Sequence, residues 1–306
     1  VAVNERCGPS CAAYGASMIS PKLLLTHPGG AHKDEFLACC VLLARHPVPV
    51  ERREPTEADL DAPEVCVIDV GHRHEPALNN FDHHQLPRDL PPTCALSLIL
   101  QHLRLYGDAR EFCEWLEATE WFDCRGPVDT AKWLGVERSV LARVISPIDL
   151  TLLRRFAQAA RLEPGQPLWE VMRMVGEDIL GHVSSSRARL DQLAGQAVRW
   201  ELPIGATTGV VVFLPRTDSL ADDAAAGLDR FIERQPWARD VVGSVYPDRR
   251  AGGYGLGRFR DNPRLDFTRI ATEPDVHFAH ARGFVAKTSA SEVERLQALV
   301  IAAGQL

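Results

Sequence analysis

The chain of 306 residues reads as an α/β protein in three parts: an N-terminal parallel-sheet domain, a helical connector and a smaller C-terminal α/β domain. Three observations predict this. Up to residue 107, short apolar runs alternate with helical patterns, as in a parallel sheet covered by helices. From 109 to 200 the pattern is almost wholly helical, broken at Gly126-Pro127, Pro147 and "EPGQP". Strand patterns then return, which suggests a second domain. The expected divisions are 1–150, 151–200 and 201–306.

In chain order, "PKLLLTH" (21–27) is a short buried strand entering a Gly-rich turn. "DEFLACCVLLARH" (34–46) follows as a helix with Phe36, Cys40 and Leu43 on one face. "VPVERRE" is a more polar strand, and "EVCVIDVG" (64–71) a third strand ended by Gly71. "TCALSLILQHLRLYG" (93–107) is an amphipathic helix closed by Gly107. After the helical stretch come strand "TTGVVVFLP" (207–215), helix "LADDAAAGLDRFIER", strand "DVVGSVYP" and a final helix "SEVERLQALVIAAG". There is no internal repeat.

Hydrophobic content of 45% and charged content of 25% are those of a globular protein, and no apolar stretch has the length of a membrane span. The opening "VAVNERCGPSCAAYGAS" lacks the basic start and apolar core of a secretory signal, although a removed leader stays open because the chain does not begin with Met. All eight cysteines lie between Cys7 and Cys124 without a CxxC pair. Reduced thiols and a cytoplasmic location are therefore expected; Cys7 and Cys11 could pair, but nothing nearby supports it. The net charge of −7 argues against a protein that coats duplex DNA. It leaves room for a short phosphorylated substrate held by metal ions and a few arginines.

The chemistry concentrates in three segments. "HPGGAHKDE" puts His27, His32 and Asp34 on the turn after the first strand. "VIDVG" puts Asp69 at the end of the third. "FDHHQ" adds Asp82, His83 and His84 after a 12-residue loop. Residues after parallel strands project from the carboxyl edge of the sheet, where α/β folds place ligands. Singly, His27 reads as a loop residue and Asp69 as a turn cap. Together they form a mixed imidazole–carboxylate set suited to Mn²⁺, Fe²⁺ or Co²⁺ rather than Ca²⁺ or a thiolate zinc site. Seven such residues exceed the needs of one ion and point to two metals sharing a carboxylate.

The ordered motifs HxxxxHxDE, VxDVG and DHHQ resemble the DHH phosphoesterase superfamily, and more closely the Myg family of metal-dependent hydrolases. "VHFAHARGF" (276–284) is similar to an HxxGF segment near that family's end. The resemblance implies a two-domain αβ enzyme with a dinuclear site, usually Mn²⁺, with Mg²⁺, Fe²⁺ or Co²⁺ as alternatives. It implies hydrolysis of phosphodiester bonds, as by a 3′-to-5′ exonuclease on RNA or short oligonucleotides. Alternatives are a small-molecule phosphoesterase and a metal-binding regulatory protein without catalysis. Carried over by position, one metal takes His27, His32 and Asp69, and the other Asp34, Asp69 and His83. A further acid on a later helix is assigned to Asp123 in "EATEWFDCRG", with Glu117 and Glu120 as the nearby alternatives. His84 faces the substrate phosphate as ligand or proton donor, and Asp82 orients a histidine. Lys33, Asn80 and "VAK" (285–287) depart from the family pattern.

The implied partner is a short single-stranded RNA or oligonucleotide; no membrane is involved, and a homodimer is open. In the C-terminal part, "RRAGGYGLGRFRDNPRLDFTR" (249–269) holds six arginines against two aspartates. Arg258 and Arg260 are expected to hold phosphates, Tyr254 and Phe259 to stack on bases, and His280 of the HxxGF-like segment to bind substrate. The competing reading of the arginine segment is a solvated hairpin.

Overall fold

Four parallel strands form the centre of the first sheet, and their apolar residues place its carboxyl edge. The structure, a computed structural model, describes residues 20–217, 223–248 and 252–305. Cys7, Cys11, Arg249 and Arg250 lie outside these. The described residues divide into two compact units that meet in sequence at Ser185–Ser186.

The first unit opens with β1 (Leu23–Thr26), α1 (Lys33–Arg45), β2 (Val50–Arg52), α2 (Glu57–Asp61) and β3 (Val65–Ile68). Next come β4 (His74–Glu75) and β5 (Asn80–Phe81). Helices α3 (Ala95–His102), α4 (Tyr106–Phe112), α5 (Trp115–Leu134), α6 (Arg138–Arg143) and α7 (Pro147–Gln158) follow. Strand β6 (Arg161–Leu162) precedes α8 (Pro167–Gln196), which carries the chain across the division. The sheet order is β4-β5-β3-β1-β2-β6, parallel from β5 to β2 and antiparallel at both edges.

Leu24, Leu25, Val67, Ile68 and Phe81 are fully buried in this sheet. Helix α1 is buried from Asp34 to Leu43 on every side, not on one face as expected. A helix apolar all round belongs in the centre of its domain. Close packing extends to the backbone: a Cβ on Gly176 of α8 would lie 1.9 Å from the carbonyl oxygen of Cys40 in α1. The 151–185 stretch joins the same unit. Its β6 extends the sheet, and Trp169 Nε1 donates to Val48 O at 2.9 Å.

Two sequence expectations change here. The 12-residue loop before His83 contains β4 and β5; β5 pairs parallel with β3, Ile68 opposite Phe81. Two residues are too few for a periodic signal. The helix at 93–107 closes at His102, because Arg104 turns left-handed (φ 56°) and Gly107 lies inside α4. The break at Gly126-Pro127 is present as a non-helical Gly126 within α5.

The second unit contains β7 (Val198–Ile204), β8 (Thr207–Phe213), α9 (Leu228–Glu233), β9 (Val241–Pro247) and β10 (Tyr254–Arg258). It ends with β11 (Val276–Ala279), β12 (Val285–Thr288) and α10 (Val293–Ala302). Its sheet, ordered β11-β12-β10-β9-β8-β7, is antiparallel except for β8 beside β9. Leu296, Leu299 and Val300 of α10 pack with Leu202, Ile204, Val211 and Leu256 in one core.

The described cysteines are free thiols, five of them buried. No helix among the described residues is long and apolar enough to cross a membrane.

Candidate metal centre

His27 follows β1 directly, on a loop fastened from below. The buried Arg52 of β2 donates to Gly29 O (3.2 Å), Gly30 O (3.1 Å) and Phe156 O (3.1 Å), and lies 4.6 Å over the Phe156 ring. His32 sits at the N-cap of α1, and its backbone N–H meets both carboxylate oxygens of Glu35 at 2.6 and 2.8 Å. Glu35 also stands 3.3 Å from His27 Nε2. Asp34 lies in the first turn of α1, where the helix dipole favours an anion. It is fully buried, and neither of its carboxylate oxygens has a hydrogen-bond partner.

Strand β3 gives way to Asp69, which adopts a left-handed backbone (φ 59°) tolerable for aspartate. Its N–H still donates to Phe81 O at 3.0 Å, so the ladder holds while the side chain turns across the edge. Gly71 (φ 92°) completes the turn; a Cβ there would meet Leu60 at 2.8 Å. Because Ile68 pairs with Phe81, the next residues, Asp69 and Asp82, emerge side by side.

At this edge Asp69 Oδ2 lies 3.6 Å from His27 Nε2, and Asp69 Oδ1 lies 3.0 Å from His83 Nε2. Asp123, from α5, brings Oδ2 to 2.9 Å from the same nitrogen and Oδ1 to 3.7 Å from His32 Nδ1. One ring nitrogen thus faces two carboxylates, yet His83 Nε2 and Asp69 Oδ1 lack hydrogen-bond geometry. Glu117 and Glu120 are engaged elsewhere: Glu120 is buried against Ser97, Tyr106 and Arg110, and Glu117 pairs with Arg110.

The charges are strongly coupled. Burial raises the Asp34 carboxyl well above its ordinary range, and the Asp69 and Asp123 carboxylates raise it further. Burial also raises Asp69, against the opposing pull of His83. Burial would raise Asp123 too, but His83 outweighs it and holds Asp123 low. Burial would lower His83, but Asp123 and Asp69 outweigh it and raise the imidazole far above its usual value. Glu35 pushes His27 up to about 9, opposed by burial and helped by Asp69. Asp82, fully buried, accepts from His72 N (2.7 Å), His84 N (3.0 Å) and His84 Nδ1 (2.7 Å). Burial would raise it, but these bonds keep it below the ordinary carboxylate range.

These groups fit divalent cations. Buried carboxylate oxygens without donors are costly unless a positive charge meets them. Among the described residues, ligand atoms gather within 4.8 Å of one another in four sets: His27, His32, Glu35 and Asp69; His32, Asp34, Asp69 and Asp123; Asp69, His83 and His84; and His83, Asp123 and Cys124. Asp69 belongs to three of them. A cleft of about 510 Å³ opens beside the cluster, lined in part by His27, His32, His72 and His84.

The residues expected to bind substrate in the second unit have their own partners. Arg260 is exposed and donates to Glu233 Oε1 at 2.7 Å; Arg258 lies 3.9 Å from Asp266. His280 packs at 4.2 Å against the ring of Phe284. Tyr254 and Phe259 are 5% and 4% exposed, so neither offers a face to a base. The competing reading holds in part: β9 and β10 are consecutive antiparallel strands, but Tyr254–Arg258 is not solvated, because β10 is an interior strand between β9 and β12 and its residues are mostly buried. Glu35, Arg52, His72 and Cys124 join the site without a role in the sequence motifs. Glu35 stands inside the quoted HxDE motif, whereas Arg52 carries no sequence signal. Of the departures, Lys33 pairs with Asp149 at 2.9 Å, Asn80 donates to Leu60 O at 2.8 Å, and Lys287 pairs with Asp248 at 3.0 Å.

Residues 23–90 match the family described as MYG1_exonuc, uncharacterised protein family (UPF0160). The matched stretch contains His27, His32, Asp34, Asp69, His83 and His84 and stops before Asp123. A solved DHH domain, described as a member of the s1p family of ribosomal proteins, is 12% identical over 94% of this chain and 88% of its own, with a TM-score of 0.32. No curated protein matches the chain.

Proposed function

We propose that the chain is a metal-dependent phosphodiesterase, and more finely a 3′-to-5′ exonuclease acting on RNA or short oligonucleotides. One observation carries the hydrolase reading: the buried carboxylate of Asp34, without a donor, stands in one cluster with Asp69 and Asp123. His27, His32 and Asp69 would hold one cation; Asp34, Asp69, His83 and Asp123 would hold the other, with Mn²⁺ suited to these donors. When bound, such ions polarise phosphoryl oxygens and lower the pKa of water. The name of the matched family supports the exonuclease reading.

The chain's own residues handle orientation and the proton. Asp82 fixes the His84 ring through Nδ1, leaving Nε2 for the cleft. Hydrolysis joins a water oxygen to phosphorus, breaks the ester P–O bond and requires a proton on the leaving oxygen. His84, half exposed, is the donor within reach of the cluster, its Nδ1 3.8 Å from Asp69. Arg258, Arg260 and His280 would hold phosphates beyond the reacting one.

A second reading, a small-molecule phosphoesterase, is favoured by the second unit, where Arg260 is paired with Glu233 and Tyr254 and Phe259 are buried. A Mn²⁺-supplemented panel separates the two: short RNA, short DNA, a cyclic dinucleotide, 3′-phosphoadenosine 5′-phosphate and pyrophosphate. Preferential turnover of short RNA supports the exonuclease. Turnover of small compounds alone supports the second reading. No turnover of any, in protein that binds Mn²⁺, would leave a non-catalytic metal protein.

A further inference from the structure

The metal cluster lies between two cavities of opposite chemistry. One is the histidine-rich cleft. The other, about 720 Å³, shares His32, Asp34 and Asp123 with the cluster and is otherwise largely apolar. One wall is a single stripe of α5: Trp115, Ala118, Thr119, Phe122 and Asp123 follow helical spacing. The small Ala118 and Thr119 separate the two aromatic residues, which leaves a slot. The facing wall comes from the end of α6 and the start of α7. Phe122 is 42%, Val144 72%, Ile145 53% and Leu150 50% exposed, although apolar groups of this size gain from leaving water. No arginine lines this groove, and its one lysine, Lys33, is paired with Asp149. It is built for a flat apolar group, not for phosphate.

We propose that this groove is the subsite for the nucleobase of a nucleotide whose phosphate lies at the cluster. The proposal rests on the phosphodiesterase reading and names its substrate class. The shared lining of His32, Asp34 and Asp123, with His32 exposed between the two cavities, makes the occupant continuous with the reacting centre, so the apolar group belongs to the same molecule as the phosphate. Pyrophosphate or a simple phosphate ester would leave the groove in water. A base stacked on Phe122 would cover it.

The test compares binding of adenosine 5′-monophosphate with that of ribose 5-phosphate, in the presence of Mn²⁺, to the full chain. The expected affinity ratio is about tenfold or more in favour of the nucleotide, in keeping with base–aromatic stacking. Phe122→Ala and Ile145→Ser, on opposite walls, should each move the ratio towards one. Ile148→Ser, 68% exposed and outside the lining, should leave it unchanged. A ratio near one in the unaltered chain, or one insensitive to both groove variants, overturns the subsite. So does a dimer in sedimentation that the groove variants dissociate without changing the ratio, because the groove then belongs to a second copy. Turnover of short RNA in the same preparation distinguishes the failures. With turnover present only the subsite falls; with no turnover and no phosphate-ester binding the phosphodiesterase reading falls with it.

Discussion

The carboxyl edge of the first sheet and the ion pairs of the second unit treat ionised side chains in opposite ways. In those pairs, acids meet cations. Asp275 takes Arg295 at 2.6 and 2.8 Å, Asp248 faces Lys287 at 3.0 Å, and Glu233 accepts from Arg260. At the carboxyl edge of the first sheet, Asp34, Asp69 and Asp123 gather in one cluster beside His83, and neither oxygen of Asp34 meets a hydrogen-bond donor. Folding alone does not reward that arrangement, since buried unpaired charge costs several kcal/mol. The difference teaches where to look for a ligand: where acids are gathered without enough donors. Backbone strain is a poorer guide. Asp69 and His72 are left-handed at the edge, but so are Arg260 and Asp261 in a turn of the second unit.

The largest effect is expected from Asp34→Asn. Metal affinity should fall by more than about a hundredfold, beyond the usual effect of losing a ligand's supporting partner, and hydrolysis should fall to background. The metal-free protein should meanwhile melt slightly higher, because the amide cannot take on the charge that burial and two neighbouring carboxylates disfavour at Asp34. About 1 kcal/mol of relief corresponds to roughly 2–4 °C in a unit the size of the first. A lower melting temperature would show that Asp34 is satisfied in a way the comparison omits. Glu120→Ala tests the converse within the same unit. Its carboxylate is fully engaged, so truncation should cost about 3 kcal/mol in denaturant unfolding and leave Mn²⁺ affinity unchanged.

The pH dependence of metal binding gives a smaller effect. Glu35 and Asp69 hold a proton on His27 up to about 9, and a metal must displace it. The part of the affinity set by this proton should therefore be weakest at pH 6.5, rise as pH increases and level off above about 9, while His83, held higher by Asp123 and Asp69, keeps total affinity rising. The slope is at most about tenfold per pH unit for this one proton. Calorimetry in buffers of different ionisation enthalpy reads the released proton, and affinity independent of pH over this range would remove His27 from the ligand set. Arg260→Ala should do least. If Arg260 leaves Glu233 to hold one phosphate of a single strand, the log–log salt slope of oligonucleotide binding falls by about 0.7. An unchanged slope means that the pair with Glu233 is structural.

Much of the first sheet is legible in the sequence because its strands are apolar runs ended by turn residues. β1, α1 and β3 carry that signal, and so does the break at Gly126-Pro127. Strand β5 does not, since two residues show no period and only pairing with β3 reveals it. Motif spacing singles out His27, His32, Asp34 and Asp69, whereas Arg52 reaches the loop carbonyls from a neighbouring strand that nothing local marks. The second unit is less legible for a different reason. Glycines and arginines around Tyr254 and Phe259 suggest an exposed, charged hairpin, while folding buries both rings. Composition reports charge well, but it does not report which face a strand turns inward.

We propose that Asp69 is shared by two cations at the edge of the first sheet. The direct test is the Mn²⁺ stoichiometry and affinity of the unaltered chain and of Asp69→Asn, measured by calorimetry with the fold checked by circular dichroism. The account predicts about two ions per chain, and a folded Asp69→Asn variant that binds neither ion tightly and hydrolyses no phosphodiester. A variant that keeps both ions and near-normal turnover would contradict it.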